Sequence, residues 1–329
     1  MKCEQLNALK GDIYFFEVMK EIRRGQKTTG WSVQDKNGNL ITDKVSILRV
    51  WEDFYSNLYG SLHEEREQIG IDQNKNKDNN CENYHCTVPF ITKEETENSI
   101  KKLKNGKSSG LDGISAELLK AGGEEAVVIL TKLFNSIMRK GIVPQEFKDA
   151  EIALIHKKGC RKQCKNYRPI SLLSHVYKVF IHILCERFKN DILQALPETQ
   201  SAYQRGRGTI EQIFSLQQMI EKSIEFNIPL NIIMVDFEKC FDSVRWDAIW
   251  DALEKTSMDK SYIHIIKRCY FNSRAQIRTD VGTTNFIKIE RSVKQGDKLS
   301  CLLFYQVLEM VVLRTEEQNP NSGLELAKN

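Results

Sequence analysis

Two aspartates follow an apolar run in the segment NIIMVDFEKCFDSV, residues 231–244. Residues 230–235 are apolar nearly throughout, as in a strand that is covered on both faces of a sheet. Asp236 would then stand at the carboxyl end of that strand and face a cleft. A carboxylate there suits Mg²⁺, which takes one or two protein carboxylates and leaves its other positions to water and phosphate. The same residue could instead cap the following turn.

Two further residues of this segment could contribute to the same site. Asp242 precedes Ser243 and an apolar helical stripe that begins at Trp246, so we expect Asp242 to cap that helix rather than to bind a metal. Phe241 comes five residues after Asp236. It could point back toward whatever Asp236 binds, although a phenylalanine is more often part of the core.

The basic segment KKGCRKQCKNYRP, residues 157–169, is the second feature. It has no acidic residue, and cations interleaved with an aromatic side chain suit phosphate backbones and stacked bases. A solvated basic loop would show the same pattern. Pro169 fixes the backbone beside Arg168, whose guanidinium can hold a triphosphate through two parallel hydrogen bonds. The cations are Lys157, Lys158, Arg161, Lys162, Lys165 and Arg168, and the aromatic residue is Tyr167.

Gln295 and Gly296 form a third, weaker signal within KQGD, residues 294–297. Gly296 allows a backbone to come close to a ligand. The apolar helix that follows, which we expect Ser300 to cap, favours an anion at its amino end.

Helices and strands in mixed order must position these residues. Thr92 and Glu95 form a capping box at the start of one helix, and an Asn-Gly turn follows residue 104. This order predicts an α+β fold with one buried sheet. Apolar spacing predicts helices near residues 45–59, 92–104, 127–137, 172–196, 210–226, 246–253, 261–270 and 300–318, strands near 150–156 and 230–235, and a hairpin over 274–291.

Composition limits the choice of function. The chain has 329 residues and a net charge of +4, so an argument for nucleic acid must rest on where the charge lies. We find no signal peptide and no apolar run long enough to span a bilayer. Nine cysteines without a secretory leader favour reduced thiols in the cytosol or nucleus. A zinc site is the alternative, but Cys81, His85, Cys86, Cys160 and Cys164 lack the close C-x2-C spacing of zinc knuckles.

The amino-terminal quarter differs from the rest. We expect residues 1–62 to form a helical leader. Residues 63–86 are polar and almost free of large apolar side chains, so we expect a flexible linker.

With these motifs in this order, the chain resembles the reverse transcriptase of non-LTR (LINE-type) retrotransposons. The resemblance covers roughly residues 87–314. It implies a right-hand polymerase fold in residues 87–329, with fingers and an incomplete palm, preceded by the leader that joins an endonuclease to the polymerase in such elements. The matching segments are ITKEETENSIKKLKNGKSSGLDGISAELL, ALIHKKG, NYRPISLLSHVYKVF, TQSAYQRGRGTIEQI, VDFEKCFDSV and VKQGDKLSCLLF.

The resemblance implies roles for residues of the palm and of the glutamine-glycine turn. Asp236 matches the first metal-binding aspartate, helped by the backbone carbonyl of Phe237. Phe241 matches the aromatic residue that crowds the sugar 2′ carbon and so excludes ribonucleotides. Gln295 and Gly296 match the loop that touches the nucleotide and template.

The resemblance also implies roles in the fingers, and it implies the ligands. Lys157 and Arg168 match the residues that hold the incoming triphosphate. The implied partners are an RNA template, a DNA primer, deoxynucleoside triphosphates and Mg²⁺, with no membrane and no clear protein partner. Contacts with nucleic acid are expected from Lys158, Arg161, Lys162, Lys165, Tyr167 and Arg205.

One component implied by the resemblance is missing from the sequence. Polymerases of this kind use two metal ions, and the family supplies further carboxylates from an aromatic-Ala-Asp-Asp hairpin beyond the helix after Gln295. This sequence has no Asp-Asp pair and ends at Asn329, before that hairpin and the thumb would begin. We therefore expect the chain as given to be catalytically incomplete, with at most one weakly held ion. A non-catalytic nucleic-acid-binding module and a truncated copy without a role are the alternatives.

Overall fold

The computed structural model describes residues 32–60, 84–193, 201 and 206–318. Arg205, residues 1–31 and 61–62 of the predicted leader and residues 63–83 of the predicted linker lie outside this part of the chain. The strands are β1 (Val33–Gln34), β2 (Leu40–Ile41), β3 (Asp149–His156), β4 (Tyr167–Leu172), β5 (Arg274–Thr279), β6 (Gly282–Thr283) and β7 (Ile287–Lys288). The helices are α1 (Lys44–Tyr59), α2 (Lys93–Lys101), α3 (Ala116–Ala121), α4 (Gly123–Lys140), α5 (His175–Leu193), α6 (Thr209–Glu225), α7 (Cys240–Ser243), α8 (Trp246–Glu254), α9 (Lys260–Tyr270) and α10 (Lys298–Gln318).

One mixed sheet carries the basic segment. Its strand order is β4-β3-β5-β6, and β7 also pairs with β5. β3 runs antiparallel to β4, with Ile155 opposite Arg168, and parallel to β5, with Ile152 opposite Ile277. The hairpin predicted over residues 274–291 is confirmed, since Thr279 pairs with Gly282.

Strand β4 is a feature that the sequence interpretation missed. The sequence leaves residues 157–169 open between a nucleic-acid-binding segment and a solvated basic loop, and neither alternative includes a strand. In the structure Pro169 lies within β4, opposite Leu154. Because β4 is at the edge of the sheet, the missing amide costs no interstrand hydrogen bond on its open side.

Helix α5 is the centre of the core. Most of its side chains are buried, including Tyr177, Phe180 and Phe188, which are 0% exposed, whereas Glu186 and Lys189 lie on an exposed polar face. The Phe180 ring lies 5.2 Å from the Phe134 ring of α4. A helix with so wide an apolar surface needs several partners, and α2, α4 and α10 pack against it.

The predicted strand over residues 230–235 is not formed. These residues have no regular secondary structure, and the side chains of Ile233 and Met234 are 86% and 83% exposed. A strand needs main-chain partners, and no strand within the described residues pairs with this segment. The apolar run therefore lies open to solvent, and the helix that precedes it, α6, also has exposed apolar side chains, among them Ile213 and Ile224.

The described part of the leader belongs to the same core as the rest of the chain. Helix α1 is confirmed, and its Trp51 and Tyr55 are buried in that core. Its carboxyl end is bound to the strand region beyond β7, since the Arg291 Nε donates to the Leu58 carbonyl at 2.7 Å. The described end of the predicted linker, which begins at residue 84, packs against α9. The Tyr84 ring stacks on His264 of that helix, with ring centres 4.2 Å apart.

The capping box at the start of α2 is confirmed. The Glu95 amide donates to the Thr92 hydroxyl at 3.2 Å, and the Thr92 amide donates to the Glu95 carboxylate at 2.8 Å. Both partners are within three residues of each other, so the sequence alone contains all the information that this motif needs.

Candidate nucleotide and nucleic-acid site

Asp236 lies on the open segment rather than at the end of a strand. Its carboxylate is exposed, and it forms no hydrogen bond or ion pair with any residue that the structure describes. Phe237 is 51% exposed. The carboxylate is thus free to bind a ligand, and it neither caps a turn nor stabilises the fold.

Asp242 is not a helix cap, so that prediction was wrong. Helix α8 begins after Arg245, which makes no side-chain cap, and Asp242 lies inside the short helix α7, 4% exposed. Its Oδ1 accepts a hydrogen bond from the side-chain amide Nε2 of Gln295 at 2.6 Å and another from the Tyr59 hydroxyl at 3.4 Å. The residue joins the leader helix to the glutamine-glycine turn, and sequence spacing gives no indication of such long-range partners.

Burial dominates the electrostatics of Asp242. It raises the pKa of the carboxyl to about 6, because desolvation disfavours the charged form. The hydrogen bond from Gln295 and the nearby cations Lys239 and Arg168 favour the ionised form and offset part of this shift.

The turn at Gln295 and Gly296 is bound to the edge strand of the sheet. The Ser171 amide of β4 donates to the Gln295 carbonyl at 3.0 Å. Gly296 has a φ of +113°, and a Cβ added there would lie 3.1 Å from the Ser171 carbonyl oxygen. Both the backbone conformation and the close approach require glycine at this position.

Two buried charges flank the turn. The Lys294 ammonium donates to the carbonyls of Phe147 and Cys269 at 2.9 and 3.1 Å, and burial lowers its pKa to about 8. Asp297 accepts from the Tyr177 hydroxyl at 2.7 Å, and burial raises its pKa. Lys294 was part of the quoted motif, but its sequence context did not reveal that it is buried.

Ser300 does not cap the last helix, and that prediction was also wrong. Helix α10 begins at Lys298, two residues earlier. The residue that caps it is Asp297, whose Oδ1 accepts from the Leu299 amide at 3.1 Å. The Ser300 hydroxyl, inside the helix, donates to the Lys294 carbonyl at 2.7 Å. Serine is the commoner cap in sequence, but here the preceding aspartate takes the role.

The basic segment presents its cations to solvent. None of them has a carboxylate within ion-pair distance among the described residues. The Lys157 amide donates to the Asn166 carbonyl at 2.9 Å, which continues the β3–β4 ladder by one pair. Because directly opposite residues share a face and faces alternate along a strand, Lys157 and Arg168 lie on the same face. The exposed cations are Lys157, Lys158, Arg161, Lys162, Lys165 and Arg168.

Tyr167 packs more closely than the sequence suggested. Its ring makes an edge contact with Trp51 at 5.1 Å and lies 5.3 Å from His156. Its hydroxyl donates to the Arg161 carbonyl at 2.8 Å. These contacts hold the basic segment against the leader helix. That Tyr167 also contacts nucleic acid remains a prediction.

Phe241 is half-buried and stacks on Phe304 of α10, with ring centres 4.9 Å apart. Its carbonyl accepts from the Val293 amide at 2.9 Å. The ring is therefore fixed next to the residues that lead into the glutamine-glycine turn.

Lys239 is a residue of this site that the sequence interpretation missed. It has a φ of +48°, which is uncommon for a residue with a side chain, and its ammonium lies 4.8 Å from the centre of the Phe54 ring. Asp236 is three residues before it, so the two Cα atoms are at most about 11 Å apart. The Gln295 turn thus bonds both to Asp242 and to the strand that carries Arg168, and Asp236 and Lys239 lie on the segment that leads into the helix of Asp242.

Metal ligands are sparse in the described part of the chain. No group of three or more His, Cys, Asp or Glu side chains there could hold an ion. Cys81 of the zinc alternative lies outside the described residues. Burial raises the pKa of the Cys164 thiol to about 12, which disfavours the thiolate that zinc requires.

The reverse transcriptase (RNA-dependent DNA polymerase) family model matches residues 155–325. This range contains the basic segment, Asp236 and the glutamine-glycine turn. The chain belongs to the reverse transcriptase family. The resemblance to the non-LTR enzymes is thereby confirmed at the level of the family.

Curated relatives come from transposable elements. "Probable RNA-directed DNA polymerase from transposon BS" of Drosophila melanogaster is 30% identical over 218 residues, 65% of this chain and 24% of that protein. "Transposon TX1 uncharacterized 149 kDa protein" of Xenopus laevis is 23% identical over 307 residues, 91% of this chain and 23% of that protein. The Pol polyprotein from type-1 retrotransposable element R2 of Popillia japonica is 29% identical over 67% of this chain. The chain spans about a quarter of the length of the first two.

Among the helices in the described ranges, none combines the length and the apolar character that a membrane span requires.

Replacing Asp242 by asparagine should change how stability depends on pH. The native carboxyl, with its pKa of about 6, binds a proton more readily than the unfolded chain does. The contribution of Asp242 to stability therefore falls as the pH rises from 4 to 7, by up to roughly 3 kcal/mol. Asp242→Asn should remove most of this fall when urea unfolding is measured across that range. Asp236→Asn controls for the loss of one negative charge, and an identical pH dependence in Asp242→Asn and wild type would contradict the assignment.

Replacing Gly296 by alanine should strain the turn. The free energy of unfolding should fall by roughly 2 to 3 kcal/mol, because alanine is strained at the positive φ of residue 296 and the Ser171 carbonyl must shift. Gly106→Ala is the matched control, with a φ of +68° and nothing within 4 Å of the added Cβ, and should cost about 1 kcal/mol. Equal costs in thermal unfolding would argue against the close packing of turn and strand.

Proposed function

We propose that this chain provides the nucleotide-binding and template-binding part of an RNA-directed DNA polymerase of the non-LTR retrotransposon type. The fold would be the fingers and part of the palm of a right-hand polymerase, with β3 and β4 in the fingers. The single observation that carries the proposal is that the Gln295 turn bonds both to Asp242 and to β4, the strand that carries Arg168, inside the range that the family model matches.

A nucleoside triphosphate is the ligand that this arrangement favours. Its phosphates would lie on Lys157 and Arg168, which share a face of the β3–β4 ribbon and have no competing carboxylate among the described residues. The deoxyribose would lie against Phe241, whose ring is fixed by Phe304. A 2′-hydroxyl would overlap that ring, so ribonucleotides would be rejected by sterics.

Asp236 provides only part of the ligand set that a divalent ion needs. Its carboxylate is exposed and without a partner in the described residues, and Mg²⁺ commonly uses one or two protein carboxylates together with substrate phosphates. Asp236 and the Phe237 carbonyl would hold an ion shared with the triphosphate. When bound, the ion would neutralise charge on the phosphates during nucleotidyl transfer. We propose an RNA template and a DNA primer as the other ligands, and a reducing compartment, cytosol or nucleus, as the location.

Triphosphate affinity should depend on the two cations. Lys157→Gln and Arg168→Gln should each weaken binding of a fluorescent deoxynucleoside triphosphate analogue about tenfold, since each removes a charge-assisted hydrogen bond. Lys255→Gln, an exposed lysine after α8, is the matched control and should bind as wild type does. Unchanged affinity in both test variants would refute the assignment of the phosphate site.

Primer extension by the purified chain should be undetectable. Two-metal transfer needs more carboxylates than Asp236 provides, and the sequence has no Asp-Asp pair. Incubation with an annealed RNA template and DNA primer, Mg²⁺ and all four deoxynucleotides is the test. Extension that disappears in Asp236→Asn would contradict catalytic incompleteness while supporting the polymerase assignment.

A non-catalytic nucleic-acid-binding module is the second candidate, favoured by the exposed cations of residues 157–165. Replacing Lys157, Lys158, Arg161, Lys162 and Lys165 by glutamine should reduce the salt dependence of RNA binding. Each phosphate contact with a single strand contributes about 0.7 to the slope of log affinity against log salt concentration. Asp236→Asn should leave that slope unchanged. Binding curves that the five substitutions do not alter would rule this candidate out.

A further inference from the structure

A cavity on the outer face of helix α4 contains none of the residues discussed so far. Its volume is about 330 Å³. One wall is the exposed ring of Phe90, and the opposite wall carries two cations of α4. No acidic side chain lines it. The lining residues are Phe90, Thr131, Lys132, Asn135, Ser136 and Arg139.

The backbone that carries Phe90 is held from two sides. On one side Arg187 donates to the carbonyls of Pro89 and Phe90 at 2.6 and 2.7 Å. On the other side the Asn135 side chain accepts from the Ile91 amide at 2.7 Å and donates to the Ile91 carbonyl at 2.8 Å. Four hydrogen bonds within three residues fix this segment against α5 and α4.

The Phe90 ring is nevertheless 69% exposed. Its backbone is ordered by its neighbours, but the ring contributes little burial to the fold. The ring projects from a backbone segment that a ligand would not have to order. Its exposed face is available for base stacking.

Lys132 and Arg139 face the same cavity because they are seven residues apart, two turns of α4. Neither has a carboxylate within 4 Å in the part of the chain that the structure describes. Arg139 is in the last turn, where a cation also stabilises the helix dipole. Lys132 is in the middle of the helix, where the dipole gives no such stabilisation.

We propose that this cavity binds one nucleotide of a single-stranded nucleic acid, with its base stacked on Phe90 and the flanking phosphates on Lys132 and Arg139. An aromatic face beside unpaired cations is the combination that recognises single strands without reading their sequence. The site is separate from the basic segment of residues 157–168, and it requires neither Asp236 nor a metal ion. It would hold a strand that runs over the surface formed by α2 and α4.

The test is binding of a short fluorescein-labelled single-stranded RNA by the full chain. Lys157, Lys158, Arg161, Lys162, Lys165 and Arg168 are first replaced by glutamine, so that binding by the cations of the basic segment is removed. In that background Phe90→Leu should weaken binding about tenfold, as expected for loss of one stacked base, and Phe90→Tyr should retain it. Leu118→Ala, which removes another side chain with 60% exposure, is the matched control and should have no effect.

The two cations are tested by the salt dependence of the same binding. Lys132→Gln with Arg139→Gln should lower the slope by about 1.4, the value for two phosphate contacts. Lys104→Gln with Lys107→Gln removes the same charge from an exposed loop and should leave the slope unchanged. The proposal is overturned if the variant without the cations of the basic segment no longer binds RNA, or if Phe90→Leu binds RNA as tightly as Leu118→Ala does. It is also overturned if an acidic peptide binds in a Phe90-dependent way and RNA does not. Circular dichroism should show unchanged helix content in every variant.

Discussion

Two buried charges on either side of the glutamine-glycine turn constrain the whole site. An ammonium and a carboxylate removed from water each cost several kcal/mol unless they are fully bonded. Lys294 meets this condition with two backbone carbonyls and lies over the rings of Tyr177 and Tyr270, and Asp297 meets it with the Tyr177 hydroxyl and the start of α10. The turn between them can hardly move without breaking these contacts. Its position relative to α5, α9 and α10 is therefore fixed before any ligand arrives.

The leader helix is part of this arrangement rather than an appendage to it. Tyr59 bonds to Asp242, Asp242 bonds to Gln295, and the Gln295 carbonyl bonds to β4. A change at the carboxyl end of α1 can thus reach the turn through two successive hydrogen bonds, and β4 through a third. The packing of Trp51 against Tyr167 gives the same helix a second contact with the basic segment. Residues that precede the family match contribute to the geometry of the candidate site.

Sequence reasoning succeeded where the determinants are local. The capping box at Thr92, helix α1 and the hairpin of β5 and β6 depend on residues a few positions apart, and all are present. It failed where the outcome depends on distant partners. Residues 230–235 have a strand composition but no neighbouring strand in the described ranges, and Asp242 has a cap-like context but binds residues far away in sequence. The candidate residues were found mostly through the order of motifs, whereas Tyr59, Lys239 and the burial of Lys294 carried no sequence signal.

We propose, as the central claim, that Asp236 holds one divalent ion together with a nucleoside triphosphate, whose phosphates are bound by Lys157 and Arg168. Electron paramagnetic resonance of Mn²⁺, titrated into the chain with a non-hydrolysable deoxynucleoside triphosphate, tests it most directly. The account predicts that Asp236→Asn weakens Mn²⁺ binding in the presence of the nucleotide, whereas Glu238→Gln, a change to an exposed carboxylate on the same segment, does not. Equal Mn²⁺ binding by wild type and Asp236→Asn would contradict the account.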